Sequence, residues 1–336
     1  MIDLRSDTLT LPSKEMKEAM FSANLGDDVF EEDPTVNELE SLGASIFEKD
    51  AALFCPSGTM TNQIAINVHT QPGDEVICSR ESHVYNYEGG GIAKNSGVST
   101  RLIEGPTGLI EHHDVINNIN VDDVHYPITS LVVLENTSNR GGGVCYQIEK
   151  IKKISEVCYE NKLNLHLDGA RLFNAIVKNN ENPIDYGKMF DSISVCLSKG
   201  LGAPIGSLLI GSRPFIQKAR RVRKVMGGGM RQVGIVAAAG IYALKNNIDR
   251  LIDDHKRAEI IEAAVQNCTW VDRVIKTETN IVVIYLKEEF SNDDFVAKLK
   301  NDGILCITFG KGRVRMVTHL DIDDEDVSYI VEKLKF

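Results

Sequence analysis

The sequence predicts an α/β protein in two parts, a large domain on a mostly parallel seven-stranded sheet and a small C-terminal α+β domain. Three observations predict it. Over roughly the first 240 residues, short apolar runs alternate with longer amphipathic ones, the pattern of strands joined by crossover helices. From about residue 249 the texture changes to one long amphipathic stretch followed by closely spaced apolar runs. A chain of 336 residues is also too long for one ordinary core and too short for three.

The strands come first. AALFCPS (51–57), DEVICS (74–79), TRLIEG (100–105), SLVVLEN (130–136), LNLHLDG (163–169), SISVCLS (192–198) and GSLLIGS (206–212) are brief, apolar and bounded by polar residues or glycine. Several read as buried on both faces, as central parallel strands are. Between them, Asp33 followed by Pro34 gives an N-cap and first-turn proline ahead of VNELESLGASIFEK, and residues 147–161 repeat apolar positions at helical spacing. IVAAAGIYAL (235–244) is too short to cross a bilayer and predicts a buried helix. Beyond it come a helix DRLIDDHKRAEIIEAAVQN, strands around NIVVIYL, ILCITFG and RVRMVTH, and a closing helix DDEDVSYIVEKLKF. The expected division is 1–248, with an N-terminal arm over 1–12, and 249–336. No flexible linker separates the two, so they are expected to pack closely.

Charge and cysteine content narrow the function classes. A formal net charge of -11 opposes a non-specific grip on nucleic acid. Asp3, Arg5 and Asp7 stand where an export signal needs an apolar core, and the expectation is a cytoplasmic protein with no membrane segment. The seven cysteines are scattered, with no C-x-x-C pair, which points to neither a disulfide frame nor a zinc site; no metal is expected. No G-x-G-x-x-G opens a first βαβ unit, so a dinucleotide oxidoreductase is disfavoured.

The strongest chemical signal is HLDGAR (166–171) at one strand's carboxyl end and VCLSKGLGAPIG (195–206) at the next. Open α/β sheets bind ligands at that edge. There, Lys199 can form a Schiff base with an aldehyde cofactor while Asp168 keeps a pyridinium nitrogen protonated; alone, the two could also be a structural ion pair. Arg171 can reach a cofactor oxygen or a substrate carboxylate, for which its planar fork is suited. In FCPSGTMTNQIA (54–65), Gly58 and Thr59 open a helix whose free N–H groups suit a phosphate. His83, beyond DEVICS, can stack on a cofactor ring and move protons near neutral pH. In RRVRKVMGGGMRQ (220–232), Lys224 or Arg231 can reach a phosphate, in the same or a neighbouring subunit.

DLRSDT (3–8), CPSGTMTNQ (55–63), ESHVYNYEGGG (81–91), LENTSNRGGG (134–143), HLDGAR, SKGLGAPIGS and RKVMGGGMRQ occur in this order, and together they resemble the threonine aldolase family from residue 3 to about 240. The resemblance implies the fold-type-I, aspartate-aminotransferase-like architecture and pyridoxal phosphate as cofactor. It implies a homotetramer, a dimer of dimers that share active sites, acting on a small amino acid. By motif, Lys199 is the cofactor lysine, Asp168 the pyridine partner, His83 the stacking residue, and Gly58 and Thr59 the phosphate loop. Ser6, Arg171 and Arg313 are assigned to the substrate carboxylate, although GKGRVRM offers Arg315 as a neighbour. His125, in DVHYP, is assigned to the substrate's β-hydroxyl. Ser138 departs from the pattern, since related sequences often carry His there. The implied reaction is retro-aldol cleavage of L-threonine, L-allo-threonine and related β-hydroxy amino acids to glycine and an aldehyde. β-Elimination, racemisation or transamination on the same cofactor is the alternative.

Overall fold

The computed structural model describes residues 1–105 and 107–335; Phe336, at the end of the expected closing helix, lies outside them. After a two-residue strand β1 (Ile2–Asp3) and helices α1 (Lys14–Phe21) and α2 (Pro34–Ile46), the chain enters the large sheet. Its strands are β2 (Ala51–Cys55), β3 (Glu75–Ser79), β4 (Ser99–Ile103), β5 (Thr129–Glu135), β6 (Asn164–Gly169), β7 (Ser192–Cys196) and β8 (Ser207–Gly211). They are the seven runs read from the sequence. Their order is β2-β8-β7-β6-β5-β3-β4. All neighbours are parallel except β8, which runs antiparallel to both β2 and β7 because only a short loop joins β7 to it.

Helices cover both faces. One face packs Phe54, Val132, Leu134, Leu167, Val195 and Ile210 under α2, α6 (Ile148–Glu160), α7 (Leu172–Asn179) and α10 (Gly234–Asn246). The other packs Leu53, Cys55 and Leu209 under α3 (Gly58–His69) and α9 (Arg213–Val225). Asp33 caps α2 as expected, its carboxylate accepting from the N–H groups of Thr35 and Val36. The apolar run 235–244 is the buried helix α10, wedged between α1 and α2. At the free edge of β2 the backbone of Phe54 is closed by side chains: its N–H donates to Glu40 Oε1 at 2.8 Å and its carbonyl accepts from Arg223 Nη1 at 2.6 Å.

The smaller unit has its own core around Trp270, Ile284, Phe295, Met316 and Ile330. After α4 (His83–Asn86), α5 (His112–Asn118), α8 (Pro183–Met189) and α11 (Leu251–Val265), it contributes strands β9 (Val271–Ile275), β10 (Ile281–Leu286), β11 (Ile304–Leu305), β12 (Ile307–Thr308) and β13 (Arg313–Val317). Helices α12 (Asn292–Asn301) and α13 (Asp324–Leu334) complete it. Four of these strands form an antiparallel sheet, β12-β13-β10-β9. Two of the elements had no sequence signal: β9 is an edge strand that alternates little, and α12 buries only Phe295 and Leu299. The amino-terminal arm joins this unit, with β1 running parallel to β11 and Val317 N–H donating to Leu4 O.

Candidate active site

The carboxyl ends of β5, β6 and β7 open into a cleft of about 450 Å³, walled on the far side by the arm and by β12 and β13. Asp168 ends β6, and Lys199 stands in the loop after β7. Asp168 is buried; Oδ2 accepts from Asn62 Nδ2 at 2.9 Å and Oδ1 from Ala170 N–H at 3.2 Å. Among the described residues it forms no ion pair. Lys199 donates to Cys196 Sγ at 3.3 Å and likewise has no carboxylate within ion-pair distance. The two groups are therefore not a structural salt bridge with each other.

Helix α3 begins as expected at Gly58, and Ser57 Oγ caps it by accepting from Met60 N–H. A side chain at Gly58 would start 2.5 Å from Cys196 Sγ, so the helix start can press against β7 only without a Cβ. Thr59 follows on the first turn, half-buried. His83 opens α4, with its N–H on Glu135 Oε2 and its Nδ1 2.9 Å from Glu88 Oε1. Burial would lower its pKa, but the bond to Glu88 and the charge of Asp168 raise it above the ordinary 6.5. Beside it Glu135 is fully buried, and burial together with the Asp168 carboxylate pushes its pKa up to about 7. The cleft thus holds Glu135, which titrates near neutrality, beside a His83 whose protonated form is favoured.

Arg171 and Arg315 share the opposite wall. Arg171 is committed in a fork to Asp7, Nε to Oδ2 at 2.7 Å and Nη2 to Oδ1 at 2.6 Å. Burial alone would raise the Asp7 carboxyl; Arg171 outweighs it and holds the pKa at about 2. Arg315 is buried, with Nη1 on Asn139 Oδ1 and Nη2 on Arg5 O, while its Nε has no partner. Burial and then the Arg171 charge pull its pKa down to about 10. Two buried guanidiniums with donor capacity left over make a seat for an anion. Ser6, capping a short turn by accepting from Thr8 N–H, lines the same wall.

Four expected residues do not reach this cleft in their own chain. Arg313 is two positions from Arg315 on β13, so the pleat puts both on one face but sets Arg313 about 7 Å nearer the hairpin turn. There it lies against the rings of Tyr285 and Phe309, and Arg315 takes the place assigned to it. His125 precedes β5, whose far end carries Glu135; the strand alone separates the two rims by about 20 Å. The His125 side chain is exposed and bonded to Asp123. Lys224 borders a second cavity, of about 1180 Å³, that shares no lining residue with the cleft, and Arg231 pairs at the surface with Asp27. Ser138 is buried in a turn beneath the site, Oγ accepting from Gly141 N–H. Asp7, Asn62, Glu88 and Glu135 were not singled out from sequence. All four sit inside the motifs quoted above; Asp7, Asn62 and Glu135 take main partners from distant parts of the chain, whereas Glu88 meets His83 five residues away.

Comparison with known proteins agrees with this geometry. Residues 3–289 match the model of the beta-eliminating lyase family. The low specificity L-threonine aldolase of Escherichia coli K12 is 41% identical, the alignment covering 98% of this chain and 97% of that one. A probable low-specificity L-threonine aldolase of Arabidopsis thaliana is also 41% identical, over 98% and 95%. Among solved structures, the threonine aldolase of Leishmania major superposes with a TM-score of 0.86 at 23% identity, over 100% and 99% of the two chains. A putative L-allo-threonine aldolase of Listeria monocytogenes gives 0.80 at 23%, over 95% and 92%. Among the described residues no helix is long and apolar enough to cross a membrane. The order of the seven strands, the cleft at their carboxyl ends and the match over most of the chain lead to one assignment: this protein belongs to the beta-eliminating lyase family.

Proposed function

We propose that the chain is a low-specificity L-threonine aldolase, cleaving L-threonine, L-allo-threonine and related β-hydroxy amino acids to glycine and an aldehyde with pyridoxal phosphate. The observation that carries the reading is the pair of unpartnered opposite charges at adjacent strand ends, Lys199 in the cleft and Asp168 buried beside it. A buried carboxylate with no cation among its described neighbours suits a protonated ring nitrogen, and an amine held only by a thiol is free to bond an aldehyde. The Gly58 and Thr59 turn, packed against β7 for lack of a Cβ, starts a helix whose free N–H groups suit the phosphate. Bound there, pyridoxal phosphate supplies an electron sink for the charge left at a substrate's Cα.

The chain's own groups do the rest. Arg315, Ser6 and the paired Arg171 orient the substrate carboxylate, which fixes the bond to be broken relative to the ring. His83, its Nδ1 already taken, presents Nε2 as the group that accepts the β-hydroxyl proton, with Glu135 as a second proton store near neutrality. Lys224, Arg231 and His125 face outward beside exposed Phe30, Val225 and Val124. That supports a homotetramer, a dimer of dimers, in which such residues complete a neighbour's site. The absence of disulfides agrees with a cytoplasmic location.

Visible absorption of the purified protein, followed by L-threonine and assays for acetaldehyde and glycine, tests the reading. A cofactor band with both products is expected. 2-Oxobutyrate in their place would reassign the reaction to elimination, and failure to bind the cofactor would end the reading. Lys199→Ala should lose both the protein-bound band and turnover.

A further inference from the structure

Behind His83 lies a buried polar array that the reaction above does not use. Glu88 is buried, with a side chain that is 0% exposed. Its Oε1 accepts from His83 Nδ1 and from Asn62 Nδ2, each at 2.9 Å, and its Oε2 accepts from Gln63 Nε2 at 2.6 Å. The second hydrogen of Asn62 Nδ2 goes to Asp168 Oδ2, also at 2.9 Å, so one amide nitrogen ties the two carboxylates together. The acting atoms of His83, Glu88 and Asp168 all fall within 4.8 Å of one another.

Both amides are oriented from behind. Since Asn62 Nδ2 donates twice, its Oδ1 must accept, and it takes the Nε2–H of His166 at 3.1 Å. His166 Nδ1 lies 2.8 Å from Ser192 Oγ and 3.2 Å from the Ser192 carbonyl, and Ser192 Oγ lies 2.8 Å from His69 Nε2. Burial keeps both of these rings neutral, lowering His166 to about 3 and His69 to about 4. Gln63 Oε1 accepts from Asn95 Nδ2, and Gly91 leaves the room that Gln63 occupies. The orientations of the two amides are thereby fixed, which holds their N–H groups on the carboxylates.

We propose that Glu88 and Asn62 are positioning residues of this site: Glu88 anchors His83 by Nδ1 so that Nε2 faces the cleft, and Asn62 couples that anchor to Asp168. The inference rests on the reading of the cleft as the cofactor site. The charges facing His83 are Glu88, Asp168 and Glu135, with the Tyr87 ring at 5.6 Å and Lys199, Arg140 and Arg171 around the cleft. Removing the Glu88 charge while keeping its shape leaves burial to dominate; removing the Asn62 N–H leaves two buried carboxylates short of a donor, which favours protonated His83.

The test is the pH titration of the His83 Cε1 proton by NMR in the full-length protein, with and without pyridoxal phosphate. In Glu88→Gln the His83 pKa should fall by about one unit or more, and in Asn62→Leu, of similar side-chain size but with no donor, it should rise, so the two variants move in opposite directions. A His83 titration within about 0.3 units of wild type in both folded variants overturns the proposal; should one variant fail to fold, the other decides. The pH profile of kcat/KM for L-threonine separates the two readings. If its acid limb follows the NMR shift, both stand. If the NMR shift appears without it, the positioning stands and His83 is not the group that governs turnover.

Discussion

Asp7 is worth perturbing first because one carboxylate secures both an ion pair and a wall of the cleft. It is fully buried, forked onto Arg171 and further bonded by Asn280 Nδ2 at 3.2 Å. Asp7→Asn keeps the shape and removes the charge. The native carboxyl sits at about 2 against an ordinary 3.8, so its ionised form is favoured by about 2.5 kcal/mol at ~1.36 kcal/mol per pH unit. Asp7→Ala also leaves Arg171 buried without a counter-charge and should cost about 3–5 kcal/mol. The sign follows from a depressed pKa: the stabilisation is present above about pH 4 and is lost as the pH falls toward 2. Urea denaturation of both proteins between about pH 7 and pH 3 reads this directly, and the gap between wild type and Asp7→Asn should narrow toward the acid end. Because Ser6 and Thr8 flank the perturbed residue and line the cleft, KM for L-threonine should rise in the same variant. A stability loss under about 0.5 kcal/mol at neutral pH, or a gap indifferent to pH, would refute the argument.

Other expectations are briefer. Arg315→Ala should raise KM for the amino acid about 10- to 100-fold, the range for a charge-assisted hydrogen bond, while Arg313→Ala leaves it near wild type; steady-state kinetics on the pair decides between the two arginines. Gly58→Ala drives a Cβ to 2.5 Å from Cys196 Sγ and should cost about 1–3 kcal/mol, most of it recovered in the double variant with Cys196→Ala, as a double-mutant cycle would measure. Glu135, raised by burial and Asp168 to about 7, contributes stability that is full below about pH 4.5 and lost as the pH rises through 7. Glu135→Gln should flatten that decline in a stability profile between about pH 5 and pH 8.

Periodicity was enough for the large sheet because its strands are short runs bounded by polar residues or glycine, and several are buried on both faces, which few other elements imitate. The antiparallel turn of β8 had no such signal, being a matter of loop length. Asp168 and Lys199 were legible because strand ends locate ligands irrespective of detail. Arg315 and Arg313 were not separable, since a pleat gives both the same face and only the hairpin register chooses between them. His125 lies apart from its own chain's cleft for a related reason: a motif records neighbours in sequence, whereas the cleft gathers carboxyl ends, and DVHYP lies at an amino end. Asn62 acquires its role from contacts across 26 and 106 residues of chain, whereas Glu88 meets His83 only five residues away, inside one motif.

The arm shows how far sequence order and mechanical order can differ. Its residues open the chain, yet its partners come from near the other end: Ile304 and Leu305 in register with Ile2 and Asp3, Val317 on Leu4, His319 on Asp3 O and Arg315 on Arg5 O. Asp7 reaches across to Arg171, just beyond the carboxyl end of β6. The arm is thus held by many modest hydrogen bonds on one side and by one strong buried charge pair on the other. The seat for an anion lies between them, with Arg315 fixed by the first set and Arg171 by the second. Loosening either set moves one guanidinium relative to the other, and a carboxylate clamp depends on their spacing. Substrate binding and attachment of the small unit are therefore coupled through the same few residues.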